Sequence, residues 1–348
     1  MNLYISVAVR KPSGELASRY GIPNLLFSFA WAPIFEGWLQ FLIANSITTV
    51  ERVLFDSGAY TVWNSGTSLN VKDYIQYLKK LDLSNHGFEF IPVNLDVIPG
   101  RPGHTGSLSE SSIQEAAEQS WKHYLVMKAS GLNPMPIYHQ GEQICWLNKM
   151  MDKTDYIGIS PANDVSRKAR SQWLTKVFKY LDGRGIKTHG FGVTSFTLME
   201  SFPWYSVDSA SPTIIGNKAG RWLLPISYIG GTFNFMRPWP LDCGWTRLEG
   251  AKRRHNLEIN TGIHQGHFHK APAVKLKADA HFKSLSKEAL DFVHRYFDYL
   301  TTYYKTEYTL EDLYTISDVR SLYNMFFFHQ FSLQYETKLE SVTKGFFT

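Results

Sequence analysis

RVLFDSGAY, residues 52–60, is an apolar run that stops abruptly at an aspartate, a serine and a glycine. A strand buried on both faces reads this way, with polar groups placed where the chain leaves the core. Five later stretches repeat the pattern: FIPVNLDVIPG (90–100), PMPIYHQGE (134–142), DYIGISPAND (155–164), THGFGVTS (188–195) and WYSVDSAS (204–211). Segments of helical period fill most of the gaps, VKDYIQYLKKL (71–81), ESSIQEAAEQSWKHYLVMKAS (110–130) and RKARSQWLTKVFKYLDGRG (167–185). Repeated strand–helix units predict an α/β fold, a (β/α)8 TIM barrel whose chemistry sits where the strands end. Three of those ends offer a carboxylate: Asp56, Asp96 and Asp208.

Working outward, MNLYISVAVRKPSG at the N-terminus reads as a first strand and lacks the basic–apolar–small layout of a signal peptide. The aromatic stretch 25–46 reads as strand plus helix, with no periodicity to fix the boundary. Residues 1–230 keep the strand–helix rhythm and are expected to form the barrel domain. PGRPGHTGSLSESS (99–112) is a Gly/Pro/Ser loop long enough to cover a substrate. From 231 the texture changes: 231–348 reads as a basic, aromatic loop region (231–283) completing the barrel, followed by C-terminal helices at about 286–304 and 309–336.

The 348 residues exceed the roughly 250 of a typical barrel, leaving room for insertions. No apolar run approaches the ~18 residues of a membrane helix, so no membrane partner is expected. Two cysteines, Cys145 and Cys243, cannot build a disulfide framework, which fits a reducing cytoplasm. A formal charge of +5 permits a polyanionic partner without requiring one.

Asp208 stands among Ser209, Ala210 and Ser211, small neighbours that would let its carboxylate reach a sugar's anomeric carbon as a covalent nucleophile. The plainer alternative is a helix N-cap, since Asp and Ser both serve there. Asp56 faces the same alternative, but Gly58 allows backbone to approach a ligand closely. Two carboxylates facing one pocket can divide the labour, one attacking and one managing the proton. Asp96 could accept from the N1–H and exocyclic amine of a guanine-like base, and Gln140 could both donate to and accept from a purine carbonyl edge. Gly158 would let backbone N–H groups near the base, and Tyr60 and Phe191 offer faces for stacking. Taken singly, Tyr60 and Phe191 are more often core, and Gln140 a strand-end hydrogen bond.

In order, DSGAY, a strand-end Asp, a strand-end Gln followed by Gly, IGIS, FGV and VDSAS resemble the tRNA-guanine transglycosylase superfamily over residues 50–212. The resemblance implies that Asp56 assists proton transfer and that Asp208 is the nucleophile. It implies base reading by Asp96 and Gln140, a backbone contact at Gly158, and a base sandwich of Tyr60 and Phe191. The departures are DSGA in place of DSGG, and VDSAS in place of an FDCV-type motif. The zinc signature of the tRNA-modifying members, a C-x-C-x-x-C followed by a distant His, cannot be present with two cysteines.

That combination resembles the bacteriophage DpdA-like branch, which exchanges guanine in DNA for a 7-deazaguanine. The implied partners are DNA and a free 7-deazaguanine base. No cofactor is implied, and a monomer is expected because the zinc subdomain is one of the family's dimer surfaces. The same chemistry on tRNA, a non-catalytic nucleic-acid-binding homologue, and an unrelated barrel hydrolase acting on a sugar stay open as alternatives. Lys252, Arg253, Arg254 and Lys270, with Lys275, Lys277 and Lys283, fit a surface for the nucleic-acid backbone. His264, His267 and His269 with Cys243 have loosely ligand-like spacing; a solvated basic loop touching phosphate is the favoured reading of that stretch.

Overall fold

All six apolar runs become strands of one sheet. The computed structural model describes residues 1–83, 86–99, 109–162, 165–243 and 285–345. The strands are β1 (Asn2–Ser6), β2 (Asn24–Ser28), β3 (Arg52–Asp56), β4 (Glu89–Pro92), β5 (Ile137–His139), β6 (Tyr156–Ser160), β7 (Lys187–Gly190) and β8 (Ser206–Ser209). Helices α1 (Lys11–Arg19), α2 (Ala32–Ala44), α3 (Ala59–Ser65), α4 (Val71–Lys80), α5 (Glu110–Ala129), α6 (Ile144–Met151), α7 (Arg167–Leu181), α8 (Phe196–Ser201) and α9 (Ser211–Asn217) connect and follow them. Several helices begin where a side chain can cap them: Asn70 accepts from Lys72 N–H, Ser109 from Ser112 N–H, and Ser166 from Ala169 N–H.

The eight strands are parallel, in the order β4-β3-β2-β1-β8-β7-β6-β5. The sheet is curled: its two edges meet at one parallel bridge, Val93 to Met135, where Met135 N–H donates to Pro92 O at 2.8 Å. The period-2 alternation of strands divides the side chains into two layers. Tyr4, Leu26, Leu54, Val93, Met135 and Ile137 form one buried cluster, inside the curl. Their alternates, among them Leu3, Ile5, Leu25, Phe27, Val53, Phe55, Ile157 and Ile159, join the larger core beneath the helices. Tyr74 of α4 shows how tightly that layer is tied, its hydroxyl donating to both Phe55 O and Val93 O at 3.1 Å.

From residue 231 the chain departs from the expected loop. Thr232–Asp242 is a strand, β10, paired antiparallel with β9 (Arg221–Ile229) across a Gly230–Gly231 turn. The alternation that makes it a strand is present at its start, where Phe233 and Phe235 are buried between exposed neighbours. Prolines at 238 and 240 obscured it; they are tolerated because β10 is an edge strand of a two-stranded sheet. The texture change near 230 therefore marks the turn of a hairpin.

Helices Lys287–Tyr304, Leu310–Thr315 and Ser317–Gly345 follow. The helix expected over 309–336 is broken at Ile316, which is extended, and it restarts at Ser317. The aromatic density of these segments is core: Phe326, Phe327, Phe328 and Phe331 are fully buried, and Trp222 of β9 stacks on Tyr296 at 5.2 Å. Among the described residues, no helix is long and apolar enough to cross a membrane.

Candidate active site

The same alternation that builds the two layers aims the site. On β3, Leu54 lies within the curl and Asp56, two residues later, repeats its direction at the strand's end. On β8, Val207 belongs to the outer core, so Ser206 and Asp208 take the opposite face. Gly158 on β6 and His189 on β7 are register partners, as are His189 and Ser206. Polar groups thus crown an apolar interior at the carboxyl ends of the strands.

Asp56 is held by two donors on one oxygen. Gly58 N–H donates to its Oδ2 at 3.0 Å, and Ser28 Oγ donates to the same atom at 3.4 Å. Gly58 sits at φ 85°, and a Cβ there would lie 2.7 Å from that of Ala30, so only glycine makes this turn. Burial pushes the Asp56 carboxyl from 3.8 up to about 7, helped by the negative charges of Asp96 and Asp208 and opposed by its hydrogen bonds. Asp56 can therefore both hold and release a proton near neutrality.

Asp96 is buried, with Oδ2 at 2.8 Å from His139 Nε2. Burial opposes charging His139, but the hydrogen bond and charge of Asp96 outweigh it and raise the imidazole's pKa. Glu142, also buried, adjoins this pair: burial pushes its carboxyl up to about 7, while the His139 charge pulls the other way. Asp208 presents Oδ1 to Gly192 N–H at 3.1 Å and to His189 Nε2 at 3.4 Å.

The remaining residues singled out in the sequence are placed less uniformly. Phe191 packs against the inner cluster and meets His189 edge-on at 4.5 Å between ring centres. Gly158 makes room for that ring: a Cβ on it would stand 2.5 Å from Phe191 Cε2. Its own N–H is spent inside the sheet, donating to Pro136 O at 2.8 Å. Gln140 accepts Ala162 N–H on its Oε1 at 3.1 Å and donates its own N–H to Ser160 O at 3.0 Å, lacing the ends of β5 and β6. Any ligand contact from its side chain then runs through the amide NH2. Tyr60 lies on α3, 53% exposed and stacked on Trp63.

Two histidines escaped the sequence reading. His139 and His189 each touch a site aspartate, and both sit at inward positions of their strands. Counting by twos would have found them, His139 from Ile137 and His189 from Phe191. The basic cluster Lys252, Arg253, Arg254 and Lys270, with His264, His267 and His269, lies outside the described residues. Cys243 is buried, its Sγ donating to Leu241 O at 3.3 Å, and burial pushes its thiol up to about 12. That disfavours the thiolate a metal would need. No protein-family model matches the chain, and no curated protein matches it either.

Proposed function

We propose that this chain is a base-exchange transglycosylase, a (β/α)8 barrel that replaces guanine in DNA with a free 7-deazaguanine. One observation carries the reading. Burial, together with the negative charges of Asp96 and Asp208 at two other strand ends, pushes the carboxyl of Asp56 to about 7. Such a site pairs a proton carrier with an anionic partner, the division that glycosyl transfer uses. The ordered resemblance of the motifs to the tRNA-guanine transglycosylase superfamily supplies the substrate class. The Val93–Met135 bridge between the edge strands supports the barrel.

In the first half-reaction a carboxylate oxygen of Asp208 attacks C1′ of an extruded deoxyguanosine. The C1′–N9 bond breaks with its electron pair leaving on the base, and Asp56 delivers the proton. A bond now joins Asp208 to C1′. In the second half the entering base gives a proton to Asp56 as its ring nitrogen attacks C1′, and Asp208 is released. Two inversions restore the original configuration, and one N-glycosidic bond replaces another with no energy donor. Extrusion is required because C1′ cannot be attacked on the necessary face while the base is stacked. Asp96, fixed by His139, is the acceptor for the amidine edge of the base, and Phe191 is its platform.

The test is incorporation of labelled guanine or 7-cyano-7-deazaguanine into DNA and tRNA in parallel. Exchange into DNA is expected, and its abolition in Asp208→Asn with the fold retained. Exchange confined to tRNA would transfer the activity to the other carrier, and near-wild-type turnover by Asp208→Asn would remove Asp208 as nucleophile. Charge reversal at Arg253 and Arg254 should weaken DNA binding, each lost phosphate contact flattening the log–log salt slope by about one unit.

A further inference from the structure

Among the described residues, His189 is the one fully buried imidazole that the exchange chemistry leaves without a task. Its two nitrogens face different partners. Nδ1 lies 2.7 Å from Ser206 Oγ, and Ser206 Oγ lies 2.6 Å from the hydroxyl of Tyr156. Among the described residues Nε2 makes no hydrogen bond, and it points at Asp208, 3.4 Å from Oδ1. Tyr4 closes the ring from the side, edge-on at 5.7 Å, as Phe191 does at 4.5 Å. The imidazole has no room to turn away.

We infer that His189 is a positioning residue for the nucleophile: its Nε2–H is the second donor to Asp208 Oδ1, leaving Oδ2 as the oxygen that attacks C1′. The inference rests on the base-exchange reading for what Asp208 attacks. Gly192 N–H already holds Oδ1 at 3.1 Å, and among the described residues both contacts of Asp208 fall on that one atom. A carboxylate with one oxygen doubly held cannot rotate, so its other oxygen is delivered in one orientation. The proton order follows from donor counting. A neutral imidazole that donates from Nε2 must accept at Nδ1, so Ser206 Oγ–H donates to Nδ1 and its lone pair takes the Tyr156 proton. The tautomer is thus assigned from the network of partners. The 3.4 Å separation is long for a hydrogen bond, as such contacts often are before substrate tightens them. In the glycosyl adduct Oδ1 becomes the ester carbonyl oxygen, and the same two donors stabilise the charge that returns to it when C1′ departs.

The experiment joins two readouts on the full chain. In ¹⁵N-histidine spectra His189, assigned by its loss in His189→Gln, should show a protonated Nε2 and an unprotonated Nδ1. Asp208→Asn should shift its Nε2 resonance. A protonated Nδ1 with bare Nε2 overturns the inference whether or not exchange is ever detected. In exchange assays His189→Leu should lower kcat by about 10²-fold with the KM for the free base little changed, in the range of a lost oriented donor. His189→Gln, which can place an amide N–H near the lost Nε2, should recover most of that loss. Ser206→Ala, which leaves the imidazole in place, should lower kcat less and disturb the tautomer signal, so the inference stays testable if His189→Leu fails to fold. Wild-type kcat in a folded His189→Leu, or no rescue by Gln, overturns it. A wild-type chain that exchanges no base into DNA or tRNA overturns base exchange alone, because the spectra still decide the hydrogen bond.

Discussion

Asp56 carries a consequence for stability as well as for chemistry. Its carboxyl, at about 7 in the fold against 3.8 ordinarily, binds its proton more tightly in the native state than in the unfolded chain. Between those two values the folded state holds the extra proton, so stability falls as pH rises through the window and levels off above it. Asp56→Asn keeps an oxygen for Gly58 N–H but cannot ionise. The variant should therefore match wild type near pH 4 and be the more stable of the two at pH 8, while losing exchange by the ~10²–10⁴-fold of missing acid–base assistance or more. Denaturant unfolding at both pH values checks this; an equal difference at the two would remove the buried-carboxyl argument. Glu142 shifts the same way, but it is common to both proteins and cancels in the comparison. At this scale the three aspartates were legible, because each ends an apolar run. The histidines beside two of them were not: a histidine inside a strand looks the same whichever face it takes. The packing partners of Gln140 and Gly158 were not legible, since neither Ala162 N–H nor the Phe191 ring can be read from neighbours in sequence.

Strands and helices were legible wherever burial writes itself as composition. β3 to β8 declare themselves by apolar runs, and α4 by Tyr74, Ile75 and Leu78 on one face. β10 was missed because prolines and surface polarity hid an alternation that only its partner β9 and the helix behind it make meaningful: Gln334 accepts from Phe235 N–H at 2.8 Å. Contact between neighbouring strands also sets the prediction that belongs here. Gly158 of β6 and Phe191 after β7 share one volume, with 2.5 Å between a would-be Cβ and the ring. Gly158→Ala must push the ring from its seat, at the ~1–3 kcal/mol of an overpacked core, and should weaken binding of the free base. In a Phe191→Ala background the ring contacts are gone, the next nearest atom being Ile137 Cγ1 at 3.2 Å, and the same change should cost less. A double-mutant cycle on unfolding free energies measures the difference. Additive costs would mean that Gly158 serves something other than the ring.

The curled sheet alone does not account for how the strand of Asp208 is held, since the C-terminal helix Ser317–Gly345 is fastened to the segment that follows it. Asn324 donates to Arg221 O at 2.9 Å and accepts Leu223 N–H at 2.8 Å, gripping β9. Arg320, buried, donates to Gly216 O at 3.1 Å and to Leu313 O and Tyr314 O at 2.8 Å, setting a cation at the carboxyl ends of two helices. Arg10, after β1, pairs with Asp318 at 3.0 Å. The closest point is Gly216 of α9, where a Cβ would stand 2.6 Å from both Cα and N of Ser321. Backbone cannot yield as a side chain can. Gly216→Ala must therefore part α9 from the long helix and stretch the Arg320 bond, a combined cost of about 3 kcal/mol from overpacking and a weakened charged hydrogen bond. Gly37→Ala in α2 is the control, since its Cβ would meet only the end of the Lys11 side chain, 3.5 Å away, and should stabilise by about 0.5–1 kcal/mol through helix propensity. Because α9 begins at Ser211, three residues past Asp208, the loss in Gly216→Ala should also appear in kcat under conditions where the variant is still folded. Equal unfolding free energies for the two alanine variants would show that the terminal helix is an accessory to the curled sheet; a deficit confined to Gly216→Ala, in stability and turnover together, makes it part of the framework that holds Asp208.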